Sequence, residues 1–162
     1  MQSQLKEKLN PKIKKVWAIA SALWVFFMGA IFVVPFLFLY LEENSQWSFI
    51  LLLVFAALAV LSLIVAAFVL PSIRYIRWSY QVGNDFIEIK RGIWWRKHYM
   101  IPFIRVQNTD TKQGPLLRAF GLSDVTISTA AGEHTIPGLL NSEAEELRDR
   151  AAELARIARE DV

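Results

Sequence analysis

The chain has 162 residues, 54% of them hydrophobic, a formal net charge of +3 and no cysteine. The missing cysteines exclude disulfides, thiolate catalysis and cysteine-held metal or haem, and the small charge, with no long basic run on a soluble helix, speaks against nucleic acid as a partner. The hydrophobic share is uneven: between residues 16 and 73 the only charged side chains are Glu42 and Glu43, more uncharged sequence than one small soluble core can hide.

Residues 1–15 form a basic segment carrying Lys6, Lys8, Lys12, Lys14 and Lys15. Two apolar runs follow, 16–41 and 48–70. About 20 helical residues cross a hydrocarbon core of roughly 30 Å, so both predict membrane-spanning helices, together a hairpin over 16–70. The first is longer than it needs to be and must tilt or kink, with Pro35 as the kink site. The link Glu42-Glu43-Asn44-Ser45-Gln46-Trp47 is a short polar turn, flanked by Tyr40 and Trp47, aromatic types that favour the interface. Lys and Arg lie before the first run and after the second (Arg74 and Arg77), with none in the turn. The positive-inside rule then predicts a multi-pass protein of the cell membrane with both termini cytoplasmic. A cleaved signal peptide fits poorly, because the first run exceeds a typical signal core and no small-residue cleavage site follows it. Ala18, Ala22 and Gly29 on the first helix, and Ala56, Ala59 and Ala66 on the second, let helices approach closely. Packing of the two spans on each other is the plainer explanation, a partner interface the other. Neither span holds an ionisable residue, which argues against an ion or proton path.

After Pro71 the pattern changes, and residues 71–162 read as a cytoplasmic domain. Residues 73–82 are rich in β-branched and aromatic types, Gly83-Asn84-Asp85 is a turn, and Phe86 to Lys90 alternates with period two. Gly92 marks the next turn, 93–101 a third strand ended by Pro102, and 106–112 a fourth. Pro115 starts one helical turn that Gly121 ends. A strand over 125–130 and a short return strand, His134 to Ile136, come before Pro137-Gly138. The last element, 142–159, is a helix: Ser142 with Glu145 fits a capping box, Glu146 and Arg150 make an i,i+4 pair, and Leu147, Ala151, Leu154 and Ala158 make an apolar stripe. Hairpins followed by one packed helix make an α+β arrangement.

From Pro102 onward the order of residues is specific. Pro102, Arg105, Val106, Gln107 and Thr109, then Gln113, Gly114, Pro115, Leu116, Arg118, Phe120, Gly121 and Leu122, then Thr129, Ala130 and Gly132, resemble the bacterial pleckstrin-homology (PH) domain family of small membrane proteins, also called membrane-flanked-domain proteins. The resemblance covers roughly residues 73–154, and the hairpin before it fits the same family. It implies a PH-like antiparallel β-barrel closed at one end by the C-terminal helix. The motif residues have structural roles to fill: Gly114 and Gly121 for backbone geometry, Leu116, Phe120 and Leu122 for packing, and the polar Arg105, Gln107 and Arg118 for internal hydrogen bonds, with ligand contact as the other reading.

The candidate surface is Lys90, Arg91, Gly92, Ile93, Trp94, Trp95, Arg96 and Lys97, a hairpin tip with four basic residues and two tryptophans. Basic residues near an anionic leaflet gain about 1 kcal/mol each, so the tip is expected either to touch anionic lipid headgroups or an acidic partner, or to be a solvated hairpin with one tryptophan packed inward. His98 and His134, the only histidines, stand apart with no metal-ligand spacing, and no nucleophile motif or phosphate-binding glycine loop is present. No catalysis and no cofactor are expected. The sequence points to a membrane-anchored binding or scaffolding module on the lipid bilayer. The alternative is a small accessory subunit of a complex with a larger membrane protein of the same family.

Overall fold

A computed structural model describes residues 7–43 and 46–160. Lys6 of the basic segment, and Asn44 and Ser45 of the expected turn, lie outside the described residues. The chain divides into two compact units, one made of residues 17–72 and the other of residues 1–16 with 73–162.

The first unit is the helical hairpin. Helix α1 spans Ile13–Glu43 with Pro35 inside it, and α2 spans Gln46–Ile64. The second helix does not stop at Pro71. A π-helical turn, Val65–Val69, carries it into α3, Leu70–Ile76, with the Leu70 N–H donating to the Val65 carbonyl. A proline inside a helix removes a donor and crowds the preceding turn, and a π turn just ahead of it takes up that misfit. This corrects the strand-like reading of residues 73–76. Both helices are long and apolar enough to cross a membrane. Their outer faces expose Trp24, Phe26, Phe27, Phe38 and Phe68, a continuous apolar surface of the kind that lipid covers. The helices also pack on each other. A Cβ on Gly29 would lie 3.3 Å from the Ala59 Cβ, and Phe36 stacks on Phe55 at 4.5 Å between centroids. The Ser21 hydroxyl lies 2.7 Å from the Ala66 carbonyl of the π turn, an interhelical hydrogen bond where the helical ladder is irregular. Small residues at Gly29 and Ala59 thus serve packing within the hairpin.

The second unit holds six antiparallel strands in two sheets. β1 (Ser79–Val82), β2 (Phe86–Arg91) and β3 (Lys97–Pro102) pair in that order, as do β4 (Val106–Lys112), β5 (Leu122–Thr129) and β6 (Gly132–Leu140). No strand pair joins the sheets among the described residues, so the closed barrel implied by the family resemblance is not formed. A 3-10 turn, Phe103–Arg105, makes the crossing from β3 to β4, and its Phe103 N–H donates to the Asp85 carbonyl at 3.0 Å. Helix α4 is Pro115–Ala119, with proline in its first turn as expected. β6 runs well past Ile136, because Pro137 and Gly138 continue the strand and the Gly138 N–H donates to the Asp124 carboxylate at 2.8 Å.

Helix α5 (Asn141–Glu160) packs on β4, β5, β6 and the 3-10 turn. It buries Ala144, Leu147, Ala151 and Ala155, while Leu154 and Ala158 are half-buried. Its start is met by Glu143, whose carboxylate accepts the Leu140 N–H at 3.1 Å, two residues ahead of the box expected of Ser142. Asn141 accepts from Gln113 and Ser123, each at 2.9 Å, and Gln113 also donates to the Leu122 carbonyl at 2.8 Å. Gln113 thereby ties the link between β4 and α4 to β5 and to the start of α5.

The N-terminal segment belongs to this domain, which sequence periodicity did not reveal. Glu7 and Tyr80 exchange backbone hydrogen bonds at 3.2 and 3.1 Å, extending the first sheet beyond β1. Burial, reinforced by the Glu7 carboxylate, pushes the Tyr80 phenol well above its usual range. Leu9 and Ile13 are almost wholly buried, and the Asn10 N–H donates to the Gly138 carbonyl at 3.3 Å. The basic segment is therefore also part of the core, with Lys8, Lys12 and Lys15 exposed between buried apolar anchors and Lys14 over the Tyr75 ring at 4.3 Å from its centroid.

Candidate functional site

The basic–aromatic cluster sits at the hairpin joining β2 and β3. Register pairs Lys90 with His98 and Arg91 with Lys97. Beyond them the chain turns at Gly92, whose φ of +126° suits glycine and whose added Cβ would collide with the Trp95 carbonyl oxygen. That close reversal takes residues 93–96 off the strand. Trp94 and Trp95 are 88% and 83% exposed, so neither packs inward. Alternation of faces holds on a strand, and this pair lies at the bend instead. The third strand accordingly starts at Lys97 and not at residue 93.

The cationic groups divide in two. Arg91 is drawn back over the Tyr99 ring, 5.1 Å from its centroid, and its hydrogen bond to the phenol lowers the Tyr99 pKa. Lys90 is half-buried and engaged with neighbours. Arg96 and Lys97 are exposed beside the tryptophans, Lys97 also bonding the Tyr99 phenol. Two indoles and two cations thus project together from a loop whose base is held by sheet pairing. Large aromatic groups in this setting suit the boundary between headgroups and acyl chains.

Behind the tip, Tyr99 contacts His134 of β6 at 4.7 Å between ring centroids. Burial, with a smaller contribution from the Arg91 charge, lowers the His134 pKa. Its folded value then lies below the unfolded value of about 6.5, so the folded state binds this proton less readily. Stability from this group is complete at higher pH and declines as pH falls through about 6.5 toward the folded value. The unfolding midpoint is expected to drop between pH 7.5 and 5.5, and His134→Gln should flatten that drop in paired thermal melts. Equal slopes for the two proteins would refute the assignment. His98, on the far side of β3, pairs with the buried Glu88 at 2.9 Å.

The motif residues fall in two groups. Gln113, Leu122 and Gly121 (φ +66°) are structural, Leu122 being fully buried. Leu116 and Phe120 are half-buried around α4, whereas Gly114 and Pro115 at its start and Arg118 in its last turn are exposed. Pro102, Arg105, Gln107, Thr129 and Ala130 instead line one cavity of about 560 Å³ between the end of β3, the start of β4 and the turn from β5 to β6. Met100, Ile104, His134 and Arg159 share this lining. Arg105 in the 3-10 turn and Gln107 at the start of β4 are exposed, so the internal bonding expected of them is made by Gln113. Arg159, absent from the sequence-based expectation, reaches from α5 to donate to the Val106 carbonyl. Only its i,i+3 and i,i+4 place relative to Arg156 and Ala155 marks it in the sequence, and that is no signal of a site. No cluster of three metal-ligating side chains exists among the described residues.

A family model for the bacterial PH domain matches residues 18–155. The UPF0699 transmembrane protein YdbS of Bacillus subtilis (strain 168) is 37% identical over 166 residues, covering 100% of both chains. No solved structure matches.

Proposed function

The chain belongs to the bacterial PH domain family, and from that premise we propose that it is a non-catalytic, membrane-anchored binding module whose domain engages the inner leaflet through the Trp94–Lys97 tip. The match over 18–155 takes in the hairpin as well as the sheets, so anchor and domain are one family unit. In this reading both termini are cytoplasmic, as the lysines ahead of α1 and Arg77 after α3 favour. The two sheets with α5 are then the family's PH-like barrel with the strand pairing between its sheets left open.

The observation that carries the proposal is the outward projection of both tryptophans, 88% and 83% exposed, beside two exposed cations. A solvated tip has no use for two exposed indoles, which leave water favourably only when something apolar receives them. Because the chain lacks cysteine, a nitroxide placed through Ile93→Cys, beside the two tryptophans, reports the tip alone. In nanodiscs containing phosphatidylglycerol its oxygen accessibility should rise and its accessibility to a polar nickel chelate should fall, relative to zwitterionic nanodiscs. Converting Arg96 and Lys97 to glutamine should weaken tip–lipid contact by about 2 kcal/mol, roughly thirtyfold. A label equally open to the chelate in both lipids would end this reading.

The accessory-subunit reading keeps one observation in its favour. Gly29, Ala30, Ala56 and Ala59 line an apolar cleft of about 300 Å³ on the hairpin, a shape that a further helix of a larger family member would fill. A stoichiometric membrane partner in crosslinked native membranes supports it.

A further inference from the structure

The seam where the two sheets do not join presents both a cavity and unpaired strand edges. β3 and β6 are each the outer strand of their sheet, and the Tyr99–His134 contact brings them to the same seam. An outer strand offers main-chain N–H and C=O groups that bind an added strand. The cavity of about 560 Å³ lies beside these edges and falls within the usual range for ligand sites. Its lining carries two guanidinium groups, Arg105 and Arg159, and no carboxylate. At its rim, Met100 is 57% exposed and Ile104 46%. His134 adds no cation at neutral pH, because burial lowers its pKa. Arg105 makes no hydrogen bond or ion pair among the described residues.

We propose that this seam binds an extended acidic peptide segment of a partner protein, its main chain along the free edge of β3, a carboxylate at Arg105 and Arg159, and an apolar side chain over Met100 and Ile104. Carboxylates suit the planar donors of arginine, and the open edges favour a peptide main chain over a lipid headgroup. The inference deepens the binding-module reading by naming the chemistry of the partner. It uses a surface other than the tip, so each can fail alone.

The test uses the full chain in zwitterionic nanodiscs and a fluorescein-labelled seven-residue peptide of alternating valine and glutamate, with its valine–lysine counterpart as control. The acidic peptide should raise polarisation saturably and slow amide exchange at His98 and Met100, whose N–H groups face away from β2, while the lysine peptide does neither. Arg105→Glu should weaken binding at least tenfold, with Gln107→Glu as a second exposed variant. Exchange protection of β5 without peptide verifies that each variant is folded, and the Ile93→Cys label reports the tip separately. No saturation, equal binding of both peptides, or unchanged affinity in both folded variants overturns the proposal. So does displacement of the peptide by soluble short-chain phosphatidylglycerol, which would assign the cavity to lipid, and so does self-association of the chain that protects the His98 and Met100 amides without peptide.

Discussion

Phe103→Ala should lower the stability of the water-exposed domain by about 3–5 kcal/mol, the range for removing a large buried aromatic. Phe103 is fully buried and is the largest such side chain. It stands in the 3-10 turn between the two sheets, and α5 packs directly on that turn. Among the described residues no strand ladder spans this junction, so side-chain packing is what holds the sheets in register there. A loss of this size is a large part of the 5–15 kcal/mol that stabilises a typical domain. Amide exchange at β2 and β5 in detergent-solubilised protein should accelerate together, by a factor that reports the change in opening free energy. Phe103→Leu keeps most of the volume and should cost far less. Similar effects for both variants would show that the turn is not packed as described.

Gly138→Ala should cost about 2–5 kcal/mol, from two additive sources. The residue has φ +66°, a conformation that costs an L side chain roughly 1–2 kcal/mol. Its new Cβ would also lie 2.5 Å from Ile13 side-chain atoms, overpacking of a kind that costs about 1–3 kcal/mol. Gly121 separates the two, because it shares φ +66° but has nothing within 4 Å of its added Cβ. Gly121→Ala should therefore show only the backbone part. Combining Gly138→Ala with Ile13→Gly takes away the Ile13 Cβ at 2.6 Å together with the rest of the side chain and so removes the collision, and the pair should be less destabilising than the sum of its singles in a double-mutant cycle. Simple additivity would mean that the N-terminal segment does not rest on Gly138.

Much of the architecture was readable because it follows from local pattern. The two apolar runs announce their helices, Gly92 announces the hairpin, Pro115 the start of α4, and the capped amphipathic stretch announces α5. What escaped depends on long-range contact or on turn detail. Leu9 and Ile13 sit among five lysines, and nothing local distinguishes a buried anchor from a solvated one. Pro71 reads as a terminator, but a π turn lets the helix continue. Pro137-Gly138 also reads as an end, yet the Asp124 carboxylate and the glycine's positive φ keep the strand going. The tip was legible in composition and not in direction, since only the tight reversal at Gly92 turns both indoles outward. The cavity joins residues from opposite sides of the sheet break, and Arg159 lies 53 residues from the Val106 carbonyl it meets.

The place of Leu9 and Ile13 in the domain core sets an order on biosynthesis. These residues leave the ribosome before either span, yet their neighbours on β6 are made more than a hundred residues later. The domain cannot finish folding while the hairpin is still entering the bilayer, and its first anchors must wait until translation nears its end. Because two spans bring the chain back to the side it started from, anchors and sheets meet on one side of the bilayer, and their union is a slow, long-range step of assembly.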